Sequence, residues 1–180
     1  IPGLLAAAVS VLATGPLYTG ELRAGDEAVM ARQAFVVYKL VVQAVGGISK
    51  EVPLRDFTHD LKAIGEAISS KTRIVFLANP NNPTGTIYRK AQWEAFLKQV
   101  PPDLLIIVDE AYFEYVEAAD YPNSLDYHQQ GKTLLTLRTF SKLYGLAGLR
   151  IGYAVADKKI ISLMHRVRQP FNVNAAAQWA

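Results

Sequence analysis

The sequence predicts an α/β fold built on a mostly parallel sheet. Three observations carry this. Residues 73–78 and 104–108 are short, continuous apolar runs, as expected of parallel strands covered on both faces. Each run ends in a polar cluster, Asn79–Thr86 after the first and Asp109–Tyr112 after the second. Helical spacing of apolar residues precedes each run, at Leu61, Ile64 and Ile68 and then at Trp93, Phe96 and Leu97. Open sheets of this kind bind ligands beyond the carboxyl ends of their strands, so the polar clusters are where function is to be sought.

Composition narrows the class. At 180 residues and 51% hydrophobic, the chain can bury one sizeable core. The net charge of +3 comes from 19 basic and 16 acidic residues with no basic block, which is not the footprint of a nucleic-acid partner. The absence of cysteine excludes disulfides and thiolate metal sites, and fits a reducing compartment. His59, His128 and His165 are scattered without metal-ligand spacing, so no metal is expected. The apolar run 4–13 is too short to span a bilayer, which takes about 20 residues. It also lacks the basic flank of a secretory signal, so a buried helix is expected there and no membrane association. The chain opens without methionine and closes in a helical pattern at Gln178–Ala180, so both ends read as cut from something longer.

The elements follow in order. Residues 15–20 form a loop by their Gly and Pro content, and 22–30 read as a turn feeding a strand. A helix carrying Phe35 and Tyr38 runs to Val45, stopped by Gly46 and Gly47. Tyr38 either lines a pocket or packs. A strand is expected over 48–54, then a helix over 58–69 with Thr58 as N-cap. The loop 79–86 has two prolines that suppress helix. An amphipathic helix over 91–100 ends at Pro101-Pro102. Residues 113–131 read as a helix end and a loop, with nothing beyond surface or packing. Strands are expected over 133–137 and 151–156. Asp157 caps a helix through Ile160, Ile161, Leu163 and Met164, and a last helix runs to Ala180.

The most informative stretch is 139–153, T-F-S-K-L-Y-G-L-A-G-L-R-I-G-Y, which follows an apolar strand. A lysine at the mouth of a buried strand can lose its charge by desolvation and become a nucleophilic amine. Hydroxyls beside it and an arginine eight positions on, Arg150, suit a phosphate. An amine next to a phosphate site suits a cofactor that is both aldehyde and phosphate ester, pyridoxal 5'-phosphate. The plain alternative is a turn with Lys142 solvated and Arg150 in a surface ion pair, and a bare S-K dipeptide would favour it.

The whole segment resembles the cofactor-lysine segment of fold-type I aminotransferases, and looks most like the histidinol-phosphate aminotransferase branch. N-P-N-N-P-T-G-T at 79–86, D-E-A-Y at 109–112 and R-x-P-F-N-V-N at 168–174 are similar to segments of the same family. The resemblance covers roughly 21–180 in unbroken order. It implies a three-layer α/β/α sandwich, the large domain of these enzymes, with pyridoxal phosphate as cofactor. By the same resemblance Lys142 carries the Schiff base and then serves as the base, and Thr139, Ser141 and Arg150 hold the phosphate. Phe35 packs on the pyridine ring, Asn82 and Tyr112 reach the phenolic oxygen, and the Asp109 carboxylate favours the protonated ring nitrogen.

The implied activity is transfer of an amino group between histidinol phosphate and 2-oxoglutarate, in a cytoplasmic homodimer with active sites near the subunit interface. Another aminotransferase branch, or a decarboxylase of amino-acid phosphates, carries the same cofactor motifs. Residues 1–20 depart from the family, which has a glycine-rich phosphate-binding turn there. The family's N-terminal arm and its C-terminal small domain, source of the arginine that grips the substrate carboxylate, have no counterpart either. The expectation is therefore an incomplete large domain spanning 1–180. A non-catalytic fragment or degenerate paralogue is the second hypothesis. A nicotinamide-binding domain would need a G-x-G-x-x-G after a strand, and none is present.

Overall fold

A computed structural model describes residues 24–168 and 170–180. The helix expected over 4–13, the loop over 15–20, the start of the turn at 22–23 and Gln169 of the R-x-P-F-N-V-N segment lie outside the described residues.

Six strands form one sheet: β1 (Glu27–Ala31), β2 (Ile48–Val52), β3 (Thr72–Ala78), β4 (Leu105–Asp109), β5 (Leu134–Thr139) and β6 (Gly152–Ala156). Their order is β2-β1-β3-β4-β5-β6, with every pair parallel except β5–β6. The helices are α1 (Val37–Ala44), α2 (Leu61–Ala67), α3 (Lys90–Gln99), α4 (Lys158–Val167) and α5 (Ala175–Trp179).

The period-2 alternation of the strands divides the core into two. Ile74, Phe76, Leu105, Ile107, Leu135 and Leu137 face one way, with Tyr38 and Val42 of α1 and Ile160, Leu163 and Met164 of α4. Val75, Leu77, Ile106, Val108 and Leu134 face the other way, toward Leu61 and Ile64 of α2 and Trp93, Phe96 and Leu97 of α3. Helices therefore cover both faces, and the expected three-layer, mostly parallel α/β/α sandwich is what forms.

Two helix starts differ from expectation. Asp60, not Thr58, is the N-cap of α2, its carboxylate accepting from the Ala63 N–H at 3.0 Å. Thr58 is occupied elsewhere. It closes a tight turn in which Arg55 and Thr58 exchange two backbone hydrogen bonds of 2.9 Å. Asp56 and Phe57 between them both have left-handed φ, 49° and 60°. The expected helix carrying Phe35 also begins later, at Val37, leaving Phe35 in the loop after β1.

At the antiparallel edge the close approach of β5 to β6 requires a glycine. A Cβ on Gly152 would lie 2.7 Å from the Arg138 carbonyl oxygen.

Trp93 anchors the second core. It is buried, stacks on Tyr88 at 5.8 Å and meets Tyr127 edge-on at 5.8 Å. Trp93→Ala is expected to cost about 3–5 kcal/mol, read as a lower urea midpoint. Trp93→Phe should cost less, because it keeps the ring contacts and removes an indole N–H that has no partner in the core.

Candidate active site

Five parallel strands, β1 to β5, end at one edge of the sheet, and β6 begins there. The loops leaving that edge carry every residue singled out in the sequence. Phe35 follows β1, Asn82 follows β3, and Asp109 and Tyr112 close and follow β4. Thr139 closes β5, Ser141 and Lys142 follow it, and Arg150 lies just before β6. Strand order reverses between the adjacent strands β1 and β3, which is the topological switch point at which such sheets open a crevice.

Asp109 is buried on the α1 face of the sheet. Its Oδ2 accepts from the Tyr38 hydroxyl at 2.8 Å and its Oδ1 from the Ala111 N–H at 3.1 Å. Burial pushes the carboxyl above the ordinary aspartate range, and the two hydrogen bonds oppose that. Burial, and then the carboxylate itself, hold the Tyr38 phenol far above its usual value, so it remains a donor. Tyr38 is fixed by stacking on Phe76 at 5.0 Å and by the edge of Phe35 at 5.7 Å. The sequence left Tyr38 between pocket wall and packing, and its contact with Asp109 is a third role. Its signal was faint, a tyrosine three residues beyond the aromatic on the way into a helix.

The asparagine loop is built by its other side chains so that Asn82 is free to project. Asn79 binds both backbone groups of Tyr88, donating Nδ2 to the carbonyl at 3.3 Å and accepting the N–H at 3.0 Å. Asn81 donates Nδ2 to the Gln33 carbonyl at 3.0 Å and to Thr84 Oγ1 at 2.9 Å. Its Oδ1 must therefore accept, so the His59 nitrogen 2.9 Å away, Nε2, carries the proton. Cis peptide bonds precede Pro80 and Pro83. Asn82 then lines a cavity of about 520 Å³ together with Tyr112, Pro83, Ile87, Tyr115 and Val116.

His59 makes the loop pH-sensitive. Burial pushes its imidazole down to about 4, only partly opposed by Asn81, and Nδ1 has no partner. Its folded pKa lies below the unfolded value of 6.5, so the unfolded chain takes the proton first as pH falls. The stability of neutral His59 should be intact above pH 6.5 and lost toward pH 4, by about 3 kcal/mol in all. Urea midpoints of wild type and His59→Gln at pH 7 and pH 5 measure this. A midpoint difference between the two proteins that is the same at both pH values would contradict it.

Lys142 differs from expectation. Instead of being desolvated at the strand mouth it is exposed, with Nζ 4.9 Å from the centre of the Tyr112 ring. The Thr139 hydroxyl donates to the Ile151 carbonyl at 3.3 Å and accepts from the Ser141 N–H at 3.1 Å. Arg150 is exposed, has φ of 54°, and turns back on its own loop to donate to the Ala147 carbonyl at 2.6 Å. A left-handed arginine stores backbone strain, on the order of 1–3 kcal/mol, of the kind that clusters at ligand sites.

The structure thus joins Tyr112 to Lys142 and to the cavity of Asn82, while Asp109 at the end of β4 is held by Tyr38 and Ala111 without a contact to Lys142 or Asn82. Phe35 joins Asp109 through Tyr38. Arg150 is brought to the same edge without a contact to Ser141 or Lys142. Residues 113–131, read as surface and packing, supply Tyr115 and Val116 to the cavity and Tyr121, Asn123 and Ser124 to contacts behind the site. Those contacts join residues distant in sequence and leave no local pattern. Among the described residues no group of three or more His, Cys, Asp or Glu is placed to hold a metal ion. No described helix is long and apolar enough to cross a membrane.

Residues 13–180 match the family described as aminotransferase class I and II. The chain is 55% identical over 157 residues to the histidinol-phosphate aminotransferase of Moorella thermoacetica, spanning 87% of this chain and 41% of that protein. It is 50% identical over 156 residues to histidinol-phosphate aminotransferase 2 of Hydrogenovibrio crunogenus, spanning 87% of this chain and 42% of that one. Among solved structures, the histidinol-phosphate aminotransferase of Sinorhizobium meliloti in complex with pyridoxal-5'-phosphate superposes with a TM-score of 0.84 at 29% identity, covering 96% of this chain and 45% of that chain. The chain therefore spans less than half the length of these relatives.

Proposed function

This chain belongs to the class I and II aminotransferase family, and from that premise we propose that it is the cofactor-binding large domain of a histidinol-phosphate aminotransferase. The observation that carries the site is Asp109, a buried carboxylate held by Tyr38 and Ala111 that has no cationic partner among the described residues. A carboxylate accepts about four hydrogen bonds, and two are used here. A protonated pyridine nitrogen supplies the missing positive charge, so the residues present fit pyridoxal phosphate.

When bound, that cofactor supplies an aldehyde that condenses with amines and a ring that withdraws electrons from the carbon losing its proton. The chain's residues do the rest. Asp109 would keep a proton on the ring nitrogen, with Tyr38 orienting the carboxylate. Phe35 would pack its face on the ring. Asn82 and Tyr112 would donate to the phenolic oxygen. Ser141 and Arg150 would hold the phosphate, with Thr139 reaching it only by giving up its bond to Ile151. The Lys142 amine would hold the cofactor and, once displaced by the substrate amine, serve as the base that moves the substrate Cα proton in a 1,3-shift.

The donor is histidinol phosphate, a reading supported by the names of the two relatives of about half-identical sequence, and 2-oxoglutarate is proposed as the acceptor. The working form is a cytoplasmic homodimer. The test is amino-transfer assay of the longer protein with histidinol phosphate and with aromatic amino acids. A strong preference for unphosphorylated aromatic donors moves the enzyme to a neighbouring aminotransferase branch, and release of carbon dioxide moves it to a decarboxylase.

A further inference from the structure

Directly behind the site, on the opposite face of the sheet, lies a buried ion pair that the proposed chemistry does not use. Glu110 and Arg138 are the chain neighbours of Asp109 and Thr139. Side chains alternate faces along a strand, so Asp109 points toward α1 while Glu110 points the other way. Arg138 Nε and Nη2 both donate to Glu110 Oε2, at 2.9 and 2.7 Å. Glu110 is fully buried and Arg138 only 8% exposed. The remaining oxygen, Oε1, accepts from the Ser124 N–H at 2.9 Å, with the Tyr121 hydroxyl oxygen 3.4 Å away. Nη2 also donates to Asn123 Oδ1 at 2.9 Å, and the guanidinium carbon lies 3.7 Å from the centre of the Phe113 ring.

The placement of this cluster relative to the backbone ladder is what gives it a role. The β4–β5 register ends at Asp109 opposite Leu137, and its last backbone bond runs from Glu110 N–H to the Leu137 carbonyl at 2.9 Å. The β3–β4 register ends at Ala78 opposite Asp109, and its last bond runs from the Asn79 N–H to the Asp109 carbonyl at 3.1 Å. Beyond these bonds the strands diverge into the loops that carry Asn82, Tyr112 and Lys142. There the side chains take over from the ladder. Arg138 is bound to Glu110, and Tyr121, whose hydroxyl oxygen lies against Glu110, gives its one proton to the Asn79 carbonyl at 2.6 Å. The ion pair thus ties the ends of β4 and β5 together, and Tyr121 sits between it and the end of β3.

We propose that Glu110 and Arg138 are positioning residues, a clamp on the reverse face of the sheet that sets the spacing of the β3, β4 and β5 ends so that Asn82, Asp109 and Lys142 meet one ligand. The inference rests on the cofactor reading above for the identity of that ligand, and on the geometry alone for the clamp.

The test separates positioning from stability. Removing one partner strands a buried charge and destabilises by itself, whereas replacing both with neutral groups of similar shape is often close to neutral. The informative protein is therefore the double variant Glu110→Gln/Arg138→Met in the full chain. Its thermal midpoint should stay near that of wild type. Its affinity for pyridoxal phosphate should fall at least about tenfold, and amide exchange in the cofactor-free protein should rise at 79–82 and 139–142 but not at 105–108. Unchanged exchange and unchanged affinity in a folded double variant overturn the clamp. If the double variant does not fold, Arg138→Lys decides, since it keeps the charge and loses the two-pronged contact; wild-type exchange at both loops then overturns the clamp. Wild type that fails to bind pyridoxal phosphate, with the exchange changes present, sinks the cofactor reading and leaves the clamp standing.

Discussion

Lys142→Ala is expected to leave the protein folded and to remove the borohydride-stable link to pyridoxal phosphate completely. The side chain is exposed and its described contact is the face of Tyr112, so its loss should move the thermal midpoint little. Activity of the longer protein should fall by at least about 10⁴-fold if, as proposed, one residue supplies both the covalent attachment and the base. The cofactor should still bind without a bond, through Asp109, Phe35 and the phosphate contacts, but more weakly. Mapping the reduced adduct by peptide mass spectrometry is the measurement. The plausible competitors are Lys39, whose Nζ is paired with Glu51 at 2.6 Å, and Lys158 at the start of α4. Labelling of these at the level of Lys142 in wild type, or an undiminished adduct in the variant, would mean that no site is formed around Lys142.

Why Lys142 was readable at all, and Tyr38 was not, comes down to what a linear pattern records. Two-sided burial writes itself into the chain as continuous apolar runs, so β3 and β4 were visible, and with them the sheet edge where their polar ends gather. Asp109 closes such a run, Asn82 and Lys142 lie in the loops beyond others, and their roles were read from the resemblance of the motifs around them. The contact of Tyr38 with Asp109 joins residues 71 apart, and that of Arg138 with Glu110 joins residues 28 apart. No periodicity encodes either. The N-cap of α2 was misplaced for a different reason. Thr58 and Asp60 are both competent caps, and only the left-handed pair Asp56–Phe57, which no glycine announces, draws Thr58 into a turn. The exposure of Lys142 shows that position at a strand mouth does not ensure desolvation, since the loop after β5 turns outward through Leu143 and Tyr144, both half-exposed.

Asp109→Asn should separate the needs of the cofactor from those of the fold, and the two effects should have opposite signs. In the cofactor-free protein burial raises the Asp109 pKa above its unfolded value. Between those two values the folded state holds a proton that the unfolded state has released. Stability is therefore full below the ordinary carboxylate range and falls as pH rises through the raised value. Asparagine cannot ionise, so the variant should lose this slope and, without cofactor, be at least as stable as wild type at neutral pH. Its one amide oxygen keeps the bond from Tyr38, while Nδ2 replaces the oxygen that accepts from the Ala111 N–H, a loss that offsets part of this gain. With pyridoxal phosphate the order should reverse. Wild type gains a cation for its buried carboxylate and is stabilised by binding, whereas the variant gains little. Turnover should fall by about 10²-fold or more, because nothing then keeps the ring nitrogen protonated. Tyr38→Phe should act in the opposite sense on the cofactor-free protein, steepening the loss of stability with pH by removing one of the two bonds that hold Asp109 down. Urea unfolding across pH, with and without pyridoxal phosphate, reads all three proteins. An asparagine variant that is less stable than wild type without cofactor, yet stabilised by it equally, would show that Asp109 serves the fold and not the ring.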